Sequence, residues 1–161
     1  MRKKEELIEL LALFLENAPS IIEIHKMEKK GTKAKKDFLK GEIDSNKLEE
    51  IMGEIIKASN PMVLQDLNEM KVCLELLKYP VDKAKEELEH EQDHYNEAIK
   101  HGCTCTFQLK FFRNEEGQLG FIPSVIAEFD QDEDEEKMRQ TLREIISAPC
   151  ELSPTDEESL K

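Results

Sequence analysis

The sequence predicts a mainly α fold: a bundle of about six helices with one β-hairpin near the C-terminal end, α+β but helix-dominated. Apolar residues recur at three-and-four spacing from Leu7 to Ile99. The period then changes to two over Cys103 to Phe112. Aromatics make up only 6% of the chain and Trp is absent, so the core must be built from Leu, Ile, Val and Met. With 161 residues and 39% hydrophobic content, one domain is expected over 1–148, carrying the hairpin at about 103–130. An acidic flexible tail is expected over 149–161.

The first helix should run from Lys3 to Asn17, with Leu7, Ile8, Leu10, Leu11, Leu13, Phe14 and Leu15 on nearly every side. Such a helix must be buried all round, in the bundle or in a partner. Ser20 can cap a second helix whose inward stripe is Ile24, Met27, Gly31, Ala34 and Phe38. Lys26, Lys29, Lys30, Lys33, Lys36 and Lys40 lie opposite that stripe and form the one organised basic surface. Gly41 ends this helix, and Asp44 or Ser45 can cap a third carrying Leu48, Ile51, Met52, Ile55 and Ile56.

Asn60-Pro61 signals a restart, and Val63, Leu67, Met70, Leu74 and Leu77 predict a fourth helix, stopped by Tyr79-Pro80. The fifth helix, Val81 to His101, should bury Val81, Ala84, Leu88, Tyr95 and Ile99 and end at Gly102. Cys103 to Phe112 then reads as a half-buried strand, and Leu119 to Phe129 as its return across the turn Asn114 to Gly117. A lone hairpin is marginal, so it must lie on the helices or pair with another chain. A last helix follows the acidic run Asp130 to Glu136, with Met138, Leu142, Ile145 and Ile146 inward.

Charge excludes some functions. The formal net charge is −13, with residues 1–40 at +3 and 121–161 at −8. An acidic chain is a poor general ligand for nucleic acid, whose phosphates draw affinity from Lys and Arg. No apolar stretch reaches the roughly 20 residues of a spanning helix, so no membrane partner is expected. Four irregularly spaced cysteines predict reduced thiols and a cytoplasmic protein. Neither GxGxxG nor GxxxxGK occurs, which disfavours nucleotide chemistry.

The sharpest motif is His90-Glu91-Gln92-Asp93-His94, which resembles, over five residues, the HExxH of zinc metallopeptidases. There, two histidines one turn apart hold zinc and the glutamate activates water. Here Asp93 is charged, the flanks are Glu86, Glu87, Glu89 and Asn96, and the metzincin third-ligand position holds Lys100, with His101 one residue late. On the helical wheel His90 and His94 point away from the Leu88, Tyr95 and Ile99 face and should be solvated. His90, His94, Glu97 and His101 form one stripe that can bind metal, and a mixed site with Cys103 and Cys105 is a further variant. Both cysteines share a strand face with Phe107, which favours packing over ligation.

No catalytic group is assigned. The function expected is protein-protein binding by a small acidic inhibitor or adaptor, one version being a phage-type nucleic-acid mimic. Contacts would come from the lysine face, from Asp132, Glu133, Asp134, Glu135 and Glu136, or from dimerisation through the hairpin or the first helix. No cofactor is expected in that case. One alternative is a zinc-dependent hydrolase, with His90, His94 and His101 as candidate ligands; another is a nucleic-acid-binding accessory protein using the lysine face.

Overall fold

The computed structural model describes residues 1–130 and 133–161. Among them are seven helices and one three-stranded antiparallel sheet of order β1-β2-β3. The elements are α1 (Lys4–Glu16), α2 (Ile21–Leu39), α3 (Ser45–Ser59), β1 (Met62–Leu64), α4 (Leu67–Leu76), α5 (Val81–Lys100), β2 (Thr104–Arg113), β3 (Leu119–Glu128), α6 (Glu135–Ser147) and α7 (Pro154–Leu160). The helix-dominated α+β class is as the sequence predicts.

Local chemistry sets most boundaries. Ser20, Asp44 and Asp134 accept hydrogen bonds from the third residue of α2, α3 and α6 respectively, satisfying donors that no helical carbonyl can reach. Asn60 takes the left-handed conformation at φ 46° to end α3, and Gly102, at φ 79°, turns the chain out of α5.

Four expectations are corrected. The predicted fourth helix loses its first turn to β1, where Met62 and Leu64 are buried and pair with Leu109 and Phe107. Asp66 then caps a shorter α4 by accepting from the Glu69 amide. The first helix is not buried all round: Leu7 and Leu11 are, whereas Ile8 and Leu13 are about half exposed, at 48% and 54%. On α5, Val81 and Ile99 are exposed, and Ala98 is the fully buried residue. The expected tail contains α7, which starts with a capping box between Ser153 and Asp156 and buries Ser159.

The core has two large parts and a small third one. On one side of the sheet, Leu7 and Leu11 of α1 and Met70, Cys73 and Leu74 of α4 pack with Met62, Leu64, Phe107, Leu109 and Phe111. Leu88 and Tyr95 of α5 add to this layer. A second cluster joins Ala34 and Phe38 of α2, Leu48 of α3 and Met138, Leu142 and Ile146 of α6, with Leu160 of α7 against it. Ala98, Cys103 and Ile145 form a third, small cluster, which meets the second at Phe129.

Both sheet edges are engaged. The Arg2 guanidinium donates to the Val63 carbonyl of β1 at 2.9 Å, and the Val125 amide of β3 hydrogen-bonds Glu91 of α5. Pro123 sits in β3, an edge strand, where a missing amide is tolerated. Each outer edge thus has one of its backbone groups satisfied from within the chain.

Gly120 faces Phe112 across the hairpin, and a Cβ there would stand 2.4 Å from the Phe112 ring. Gly120→Ala is expected to destabilise by about 1–3 kcal/mol through displacement of that ring, measured by urea unfolding. Adding Phe112→Leu should recover part of the loss.

Candidate metal centre

The site is built where α5, α6 and α7 meet. One helical turn separates His90 from His94, so both side chains leave the same face of α5. That face is not solvated as expected: α6 and α7 cover it, leaving His90 23% and His94 12% exposed at the side chain. The cause is α7. Its Asp156 side chain, 16% exposed, reaches across to both rings.

Asp156 is held from its own helix. Its amide donates to Ser153 Oγ at 3.1 Å, and its Oδ2 accepts from the Ser153 amide at 3.2 Å. Pro154 opens the helix where no amide is needed. Oδ2 then lies 3.1 Å from His90 Nε2 and 3.4 Å from His94 Nε2. The two Nε2 atoms are 3.1 Å apart, and the rings meet edge to face.

These distances describe a ligand triangle. Zinc bonds nitrogen and oxygen at about 2.0–2.2 Å, so neighbouring ligands in a tetrahedral site are about 3.3–3.6 Å apart. The three edges here, 3.1, 3.4 and 3.1 Å, are close to that, so one ion could be held by these three atoms. His94 Nδ1 lies 2.7 Å from the Ile145 carbonyl of α6. A carbonyl can only accept, so Nδ1 carries the proton and donates; Nε2 then donates to Asp156 when the ring is charged and presents a lone pair to the triangle when it is neutral. Fixing the tautomer through a backbone carbonyl is a recurring support for metal-bound histidine.

Electrostatics couple the three groups to one another, so an ion would replace the proton they share. The hydrogen bond to Asp156 raises the His90 pKa against the opposing effect of burial. Burial pushes the Asp156 carboxyl up, but hydrogen bonds from His90 and His94 outweigh it and hold the carboxyl well below the usual carboxylate range. Glu91, between the histidines in sequence, is pushed up to about 7 by burial, with His94 and His90 opposing.

Of the predicted ligands, His90 and His94 come together and His101 does not join them. His101 is instead in a second group, with Glu97 Oε1 at 3.1 Å and Glu144 Oε2 at 2.6 Å. Asp156 was missed because an acidic composition masked a helix start. The signal was present as Ser153-Pro154-Thr155-Asp156, a capping-box spacing with Pro at the first position. The cysteine variant is not supported: neither group of ligand atoms contains Cys103 or Cys105, and burial raises both thiol pKa values, that of Cys103 to about 11.

The charged surfaces are partly consumed by internal pairs. On the lysine face, Lys30 pairs with Glu54, Lys33 with Asp37 and Lys36 with Glu158 of α7, while Lys26, Lys29 and Lys40 are exposed. In the acidic run, Glu133 pairs with Lys137, Asp134 caps α6, and Glu135 accepts from Ser45 and from Arg139. Glu136 lies 3.6 Å from Arg139. Asp132 lies outside the described residues.

No known protein family, curated protein or solved structure matches this chain. Among the described residues no helix is long and apolar enough to cross a membrane.

Proposed function

We propose that this protein binds one divalent transition-metal ion of the zinc type through His90 Nε2, His94 Nε2 and Asp156 Oδ2. The convergence of these three atoms, on two elements far apart in sequence, carries the proposal. Two imidazoles and a carboxylate suit zinc better than the oxygen-seeking Mg or Ca ions. The ion would tie α7 to α5, so a first role is structural.

Asp156→Ala is expected to lower zinc affinity at least about tenfold, because even outer-shell partners of ligands are worth 10–100-fold. Competition titration against a chromophoric chelator measures it. Equal affinity in wild type and variant would remove Asp156 from the site.

A hydrolase is the second reading, resting on Glu91, which follows His90 in sequence and whose carboxyl is pushed up to about 7 by burial. Glu91→Gln would then abolish peptide hydrolysis while retaining zinc. Absence of turnover by zinc-loaded wild type would leave the ion structural. The inhibitor or adaptor reading draws on the exposed Ile8 and Leu13 of α1. The mimic version is weakened because Glu133, Asp134 and Glu135 spend their carboxylates on internal partners.

A further inference from the structure

The geometry points to α7 as a metal-latched strap: the ion at His90, His94 and Asp156 holds Pro154–Leu160 down, and its loss releases that segment. This rests on the metal assignment above and adds a regulated element to it. Four observations favour it. With seven residues, α7 is too short to be stable alone, so its helix depends on docking. The chain between α6 and α7, residues 148–153, is not helical, and Cys150 and Glu151 are exposed, so the segment can part from α6 without breaking a longer helix. One ligand lies on the strap and two lie on α5, so only the docked state offers all three.

The fourth is what the strap covers. Glu158 pairs with Lys36 of α2 at 3.3 Å, and Leu160 packs on the cluster of Phe38, Leu142 and Ile146. Release would uncover a lysine-edged apolar surface on α2 and α6 and would open His90 and His94 to solvent. An ion shifts such an equilibrium only by its preference for one state, and here that preference is the Asp156 ligand. The undocked state keeps His90 and His94 on α5, so at saturating ion docking would be favoured by the worth of the Asp156 ligand, at least about tenfold.

Coupling is reciprocal, so whatever weakens docking must weaken metal binding by the same factor. The test is hydrogen exchange of the full chain with one equivalent of zinc and after chelation, together with zinc affinities of wild type and Leu160→Asp. Leu160 does not belong to the ligand group. The expected results are exchange at 154–160 at least about tenfold faster after chelation, and zinc binding at least about tenfold weaker in Leu160→Asp.

Should Leu160→Asp fail to fold, Ser153→Ala replaces it. That change removes the cap hydroxyl but keeps the amide that holds Asp156, and should weaken zinc about fivefold, the equivalent of about 1 kcal/mol for a lost cap. If wild type binds one zinc but exchange at 154–160 is unchanged by chelation, or the folded variant keeps wild-type affinity, the strap is overturned and the metal site stands. If wild type binds no zinc, both fall.

Discussion

Arg2→Ala is expected to destabilise the protein by about 3 kcal/mol, the low end of the cost of removing one partner from a buried ion pair. The low end applies because the Arg2 side chain is itself 24% exposed and the Arg2 and Gln65 amides still donate to Glu69. Glu69 in α4 has no side-chain exposure and accepts from the Arg2 amide at 3.0 Å, from Arg2 Nε at 3.2 Å and from the Gln65 amide at 3.1 Å. The Arg2 Nη2 group pairs directly with its Oε1 and also donates to the Val63 carbonyl. Without the guanidinium, the carboxylate stays buried with too few donors, and the β1 edge loses its cover. Urea unfolding at neutral pH measures the loss.

The same pair gives an acid dependence with a defined sign. Burial pushes the Glu69 carboxyl up, and the hydrogen bonds from Arg2 outweigh it, bringing the group from 4.5 down to about 2. A carboxyl depressed on folding contributes stability above its unfolded pKa and loses it as pH falls through the folded value. The contribution, about 3 kcal/mol for a shift of this size, is present above pH 4.5 and lost toward pH 2. Glu69→Gln should flatten the stability profile over that window. An unchanged profile would show that Arg2 and Glu69 are not paired in solution.

Zinc should stabilise the fold by a comparable amount. With the free ion at 1,000 times its dissociation constant, linkage adds about 4 kcal/mol. For a chain of this size that corresponds to a rise in Tm of about 8–16 °C, reversed by a chelator. His94→Ala should abolish the rise, because it removes a ligand together with its Nδ1–H donation to Ile145. A rise that survives the substitution would place the stabilising ion elsewhere, and the Glu97, His101 and Glu144 group would be the next location to test.

Much of the fold was legible from local chemistry. Ser20 and Asp44 announced α2 and α3, and the alternation around Phe107 announced β2, because caps and side-chain periods are written in neighbouring residues. β1 was hidden for the opposite reason. Three residues carry too little pattern, and what makes them a strand is pairing with Leu109, Gln108 and Phe107, far along the chain. Val63, Leu67, Met70 and Leu74 kept helical spacing across the break, which masked the Asp66 cap.

The site was half legible. His90 and His94 showed the spacing of ligands, but the wheel judged their face from the apolar residues of α5 alone and so turned it to solvent. Burial of that face comes from α7 and α6, through contacts that a single helix cannot reveal. Composition favoured a tail where Ser153 and Pro154 started a helix, so the third ligand was lost with it.

The most direct test of the metal assignment is the metal content of untagged protein, dialysed against zinc and then metal-free buffer, for wild type and the His90→Ala His94→Ala double variant. One zinc per wild-type chain, absent from the folded variant, is the expected result. No bound zinc in wild type, or one equivalent retained by the variant, would contradict it.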